Sequence, residues 1–249
     1  MAGHSKWANI KHRKGRQDAA RGKLFTKLIR EITVSAREGG GDEDANPRLR
    51  AAVLNAKSEN MPAANIERAI KKGTGELEGE SFESAVFEGY GPGGVALFVE
   101  TLTDNRNRTV SEVRHLFGKY NGNMAEVGAV DWIFDQKGLI VVPKEVSDEE
   151  TVMTIALDAG ADDLVEGDEE FEVYTPLQSF DAVRKALEEN EVTVARASLT
   201  RIPQNSVPVE GKTAGQLIRL LEALEDQDDV QSVYANFEMD DGELAELTA

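Results

Sequence analysis

The sequence predicts an α+β multidomain protein: an N-terminal three-helix domain followed by two ferredoxin-like-type α/β sandwiches, one inserted in the other. Three observations carry this expectation. The apolar pattern changes from a helical to a strand period near residue 82. Residues 138–202 read as a complete β-α-β-β-α-β unit. Beyond residue 208 there is one helix and one strand, too little to bury an apolar face alone. A length of 249 residues suits two domains or three small ones.

From Gly22, the residues Leu24, Phe25, Leu28, Ile29 and Ile32 form one helical stripe, with Lys23, Lys27, Arg30 and Arg37 on the other side. Gly39-Gly40-Gly41 ends that helix. Asn46 as N-cap with Pro47 behind it starts a second helix, with Leu49, Ala52, Val53 and Ala56 facing inward. Pro62 opens a third, carrying Ile66, Ala69 and Ile70, with Gly73 expected as its C-cap. The glycine-rich, acidic Gly73–Ser81 reads as a linker.

Strands are expected at 84–90 and 95–102 around a tight Gly91–Gly94 turn. A helix capped by Asp104 or Asn105 follows, and Ala129–Phe134 reads as a further strand. The inserted unit runs through strand 139–142, a helix capped near Ser147 or Asp148, strands 162–166 and 171–175, helix 179–189 and strand 193–199. A helix with Leu217, Leu220, Leu221 and Leu224 at core spacing then precedes strand 230–237. The expected domains are therefore 1–75, a discontinuous 82–136 plus 208–238, and an inserted 137–207.

Charge is divided unevenly. Residues 1–75 carry 16 Lys or Arg against 8 Asp or Glu, a net +8, whereas residues 76–249 carry 12 against 38, a net −26. The first 30 residues hold nine Lys or Arg and one acid, Asp18. An acidic chain that gathers its positive charge at one end points to a polyanion partner for that end. The arm interleaves His4, Lys6, Trp7, Lys11, His12, Arg13, Lys14, Arg16, Arg21 and Lys23, offering phosphate contacts and rings able to stack on unpaired bases. Lys27 and Arg30 extend this set along the first helix. A solvated basic tail or a mitochondrial presequence has a similar composition, although no processing site separates the arm from its helix. In the loop Thr103–Thr109, Arg106 and Arg108 stand at a helix N-terminus, where the residues serve either as caps or as an anion contact.

Several function classes find no pattern. Without cysteine there is no disulfide, thiolate metal site or thiol nucleophile. His4, His12 and His115 lack ligand spacing, and neither metal nor cofactor is expected. Gly89-Tyr-Gly-Pro-Gly-Gly94 matches G-x-G-x-x-G but leads into a strand, so it reads as a hairpin turn rather than a dinucleotide site. No P-loop and no nucleophile–base constellation is visible, and an enzyme is not expected. Acidic runs such as Glu166–Glu170 and Glu225–Asp229 read as solvated, repulsive surface, with room for a protein partner on the acidic α/β domains. No apolar run has spanning length and no secretion signal is present, so a cytoplasmic protein without a membrane partner is expected.

The opening Met1-Ala-Gly-His-Ser-Lys-Trp-Ala-Asn-Ile-Lys-His-Arg-Lys14 resembles the start of the YebC/PmpR family. Further matches are Lys23–Ile32, Asn46–Arg50, Asn60-Met-Pro62, Glu88–Gly94 and Thr103–Thr109. The resemblance implies a helical domain with two α/β domains, one inside the other, in a non-enzymatic cytoplasmic regulator. That family is described as DNA-binding transcriptional regulators, related to mitochondrial translational activators of cytochrome oxidase. Bacterial members are also linked to ribosomes stalled on proline runs. A chain opening directly on the family motif is expected to be bacterial. Two partners fit one electrostatic surface: promoter DNA, or ribosomal RNA on the ribosome.

Overall fold

A computed structural model describes Trp7 and residues 18–79, 81–167 and 169–248, with the side chains of 18–21 outside the description. By internal contacts the chain divides into two compact units. One joins the described residues up to Val34 with 78–135 and 202–248, and the other joins 35–77 with 136–201.

In the first unit, α1 (Asp18–Gly39) leads in as far as Val34, and its last residues, 35–39, count with the second unit. Strands β1 (Glu83–Tyr90) and β2 (Ala96–Thr103) pair antiparallel from Glu83↔Thr103 to Tyr90↔Ala96. Their connection is a tight 3₁₀ turn in which Gly93 and Gly94 take φ of 78° and 77°, values that favour glycine. The Gly89–Gly94 motif is thus a hairpin, and a helix for a pyrophosphate does not follow it.

Helix α2, which belongs to the second unit, spans Pro47–Ser58, and α3 spans Ala63–Thr74. The Asn46 side chain accepts from Leu49 N at 3.1 Å and donates to Ser35 O and Gly40 O, both at 2.8 Å. It therefore starts α2 and ties off the end of α1. Leu49, Ala52, Val53 and Ala56 are buried as expected. The C-cap of α3 is Gly75, left-handed at φ 83°, whereas Gly73 lies buried within the helix.

Back in the first unit, α4 (Arg106–Lys119) and the short β3 (Asn123–Met124) follow β2. The stretch expected as a strand at 129–134 is instead a turn and a 3₁₀ helix over Asp131–Ile133, and β4 (Phe134–Pro143) starts only where it ends. The chain re-enters this unit through β8 (Val207–Pro208), α7 (Gly211–Glu225), β9 (Val230–Ala235), β10 (Phe237–Glu238) and α8 (Asp241–Leu247). Within it, β9 pairs with β2, giving the sheet order β3-β1-β2-β9. Residues beyond 230 therefore complete a sheet begun at 83. One face carries Phe87, Leu97, Val99 and Val233 against Val113, Phe117, Leu217 and Leu221. The other carries Ala96, Phe98 and Tyr234 against Val130, Ile133 and Phe134. Both faces are covered, which is why β2 is buried at nearly every position.

The inserted part of the second unit reads β4, α5 (Glu149–Asp158), β5 (Asp163–Glu166), β6 (Glu170–Thr175), α6 (Phe180–Glu189) and β7 (Arg196–Pro203). The sheet order β5-β6-β4-β7 is the ferredoxin-like arrangement. Its core joins Ile140, Val142, Phe171 and Val173 to Val152, Ala156, Val183 and Leu187. No helix among the described residues is long and apolar enough to cross a membrane.

Candidate nucleic-acid interface

Lys23, Lys27 and Arg30 stand at i, i+4 and i+7 on α1, so they share one face. In the structure that face meets the end of α7 and the turn after it. Lys23 Nζ donates to Asp226 O at 3.3 Å and lies 3.8 Å from Asp226 Oδ1. Lys27 Nζ donates to Glu225 O at 2.7 Å. Arg30 Nη1 donates to Asp228 O at 2.6 Å and to Asp229 Oδ1 at 2.9 Å, and its guanidinium lies 5.0 Å from the Phe82 ring centroid. A helix C-terminus leaves carbonyls without intrahelical partners and carries partial negative charge. Lys27 and Lys23 meet that need at Glu225 and at the C-cap residue Asp226, and Arg30 bonds the turn beyond them. Burial pushes the Lys27 ammonium below its usual range, with the charges of Glu225 and Asp226 acting in the opposite direction. This part of the predicted interface is occupied from within the chain.

Asp229 is the centre of the arrangement. It is buried, with Oδ1 held by Arg30 and Oδ2 held by Arg108 Nη2 at 2.9 Å and by the Thr109 hydroxyl at 2.7 Å. Thr103 Oγ1 lies 3.3 Å from the same oxygen. Burial alone would raise the Asp229 pKa, but the bonds from Arg108 and Thr109 and the charges of Arg108 and Arg30 outweigh it and hold the carboxyl below its usual range. The reading of Glu225–Asp229 as solvated surface therefore fails at Asp229. A buried acid among exposed ones carries no local periodic signal, and its partners lie more than 100 residues away.

The loop 103–109 performs the capping role. Asn105 Oδ1 accepts from Arg108 N at 3.2 Å at the start of α4, and Arg108 divides its guanidinium between Asp104 at 2.6 Å and Asp229. Arg106 is exposed and has no ion pair among the described residues. Arg68 and Lys71 on α3 are likewise exposed without an ion pair among the described residues, and sequence reasoning had not singled them out.

His4, Lys6, Lys11, His12, Arg13, Lys14 and Arg16 lie outside the described residues, as does the side chain of Arg21. Trp7 is described, and it is fully buried in the apolar core that contains Phe87, Leu97 and Leu217. A ring in that position does not stack on a base. Truncation to alanine there is expected to cost about 3–5 kcal/mol, as for other large core aromatics.

The comparisons with known proteins cover nearly the whole chain. Residues 5–76 match the profile described as the TACO1/YebC protein N-terminal domain, and residues 82–237 match that of the TACO1/YebC second and third domain. A Geobacter sulfurreducens protein named a "Probable transcriptional regulatory protein" is 58% identical over 247 residues, 99% of this chain and 100% of its own length. A Thermotoga maritima protein of the same name is 55% identical over 248 residues, covering 99% and 98% of the two chains. The crystal structure of a conserved hypothetical protein from Aquifex aeolicus superposes with a TM-score of 0.84 at 50% identity, covering 90% of this chain and 93% of that one.

Proposed function

Starting from the fact that the chain belongs to the TACO1/YebC family, we propose that it is a non-enzymatic regulator that binds nucleic acid through the basic arm preceding α1, with promoter DNA as its partner. The observation that carries this reading is the placement of charge: nine Lys or Arg in the first 30 residues of a chain whose net charge is −18. The relatives' name for a transcriptional regulator supports it. The proposal retains the three-part organisation of 1–75, 82–136 with 208–238, and 137–207. It assigns phosphate contacts to Lys6, Lys11, Arg13, Lys14 and Arg16, and adds Arg106 as an exposed cation at a helix N-terminus. Lys23, Lys27, Arg30 and Arg108 leave the contact set, because acidic residues and carbonyls of the same unit already hold them. Stacking by Trp7 leaves it as well. The stacking argument for unpaired RNA rests on Trp7 together with His4 and His12, so the buried ring weakens it, and promoter DNA stays first on the relatives' name.

Changing Lys11, Arg13, Lys14 and Arg16 together to Glu is expected to abolish binding to promoter DNA while leaving helix content and Tm unchanged. Unaltered binding would reject the arm as the contact. The intact protein should also prefer promoter DNA over unrelated DNA at roughly 150 mM salt. Co-sedimentation with ribosomes and no DNA preference would instead make it a translation factor. Deleting the first twenty residues is a poorer test, because it also removes Trp7 from the core.

A further inference from the structure

Among the described residues, Val127 at 77% and Trp132 at 64% are the most exposed large apolar side chains. They occupy one short stretch, residues 125–133, and that stretch is held firmly. Beneath it lies Glu88, itself only 1% exposed. One of its carboxylate oxygens accepts from Gly128 N at 2.6 Å, and the other from Val130 N at 2.6 Å and Asp131 N at 3.0 Å. Ala129 O accepts from Tyr90 Oη at 3.2 Å and from Trp132 Nε1 at 3.1 Å. Val130 and Ile133 are buried on the sheet behind the loop. A buried carboxylate is thus used to fix a loop that turns Val130 and Ile133 inward and leaves Val127 and Trp132 facing water.

Exposed tryptophan on a preorganised support is the usual form of a binding hot spot, because little freedom is lost on contact. The surrounding charge identifies the occupant. Residues 125–135 contain Glu126, Asp131 and Asp135, all exposed, and no Lys or Arg. Phosphates would be repelled there, and so would a second copy of this strongly acidic half. We propose that the Val127–Trp132 loop is a docking knob for a protein partner that presents an apolar pocket rimmed by Lys and Arg. One tryptophan buries about 150–250 Å², well short of the roughly 800 Å² per partner in a stable complex. The knob therefore anchors a weak, reversible contact.

The test places p-benzoylphenylalanine at position 127 of the full chain in cells and maps the photoadducts. A protein adduct is expected on a Lys- or Arg-containing apolar peptide, and Trp132→Ser should reduce it about tenfold or more with Tm unchanged. An adduct on nucleic acid, on this chain itself or on an acidic surface overturns the proposal. So does the absence of an adduct, or an adduct that Trp132→Ser leaves intact. Fluorescence quenching checks the rim separately. Trp7 is buried, so quenching reports Trp132, and the ratio of caesium to iodide quenching should exceed that of a free tryptophan amide; a lower ratio overturns the acidic rim.

Discussion

Asp229 and Glu88 are both carboxylates withdrawn from water in the same compact unit, and they are stabilised in different ways. Asp229 faces two guanidiniums and a threonine hydroxyl, donated from α1 and from α4. Glu88 faces three backbone N–H groups of a single loop. The first arrangement joins elements far apart in sequence through full charges, and the second fixes one short segment through dipoles. The difference bears on function: charge that looked available on α1 is committed to folding, whereas the loop over Glu88 presents Val127 and Trp132 to water.

The largest effect should come from Asp229→Asn. It leaves Arg30 and Arg108 facing an amide, and breaking a buried pair in this way costs about 3–5 kcal/mol, measurable by urea unfolding at pH 7. The sign of the pH dependence follows from the depressed pKa of Asp229. Its contribution is complete above the unfolded value of 3.8 and is lost as pH falls through the lower folded value. The stability gap between the two proteins should therefore be constant from about pH 8 to 5 and shrink below about pH 4. A gap that widens in acid would contradict the ion-pair account. Glu88→Gln should cost less, about 2 kcal/mol, the scale of a hydrogen bond to a charged acceptor. It should also loosen the loop enough to alter Trp132 emission; equal losses at the two sites would erase the distinction drawn between them. Lys23→Gln is expected to change stability by less than about 0.5 kcal/mol, because both members of its ion pair are well exposed. A larger loss would mean that Lys23 contributes more to closing the end of α7 than its exposure implies.

What the sequence made legible was local. The β1–β2 hairpin, the Asn46-Pro47 helix start and the β-α-β-β-α-β order all follow from periods and caps within a few residues of each other. Lys23, Lys27 and Arg30 illustrate the limit. One cationic helix face suits phosphates or helix carbonyls equally, and the groups that decide lie 203, 198 and 199 positions away. Residues 129–134 illustrate another. Their short, largely apolar run suits a strand, but Glu88 takes the N–H groups of Val130 and Asp131 that a strand would give to a neighbour. Trp7 was ambiguous for a third reason, since a large aromatic in a basic segment fits a stacking ring and a core anchor alike, and only packing separates them.

The central claim is a division of labour among the cations, and the salt dependence of binding tests it most directly. The slope of log affinity against log salt should be measured on one duplex promoter fragment for two double variants. Lys11→Gln with Lys14→Gln is predicted to reduce the slope by about 1.8, the loss of two phosphate contacts, at unchanged Tm. Lys23→Gln with Lys27→Gln is predicted to leave the slope as it is in the unaltered chain and to lower Tm. The reverse pattern, with the α1 pair carrying the slope and the arm pair carrying none, would contradict the account.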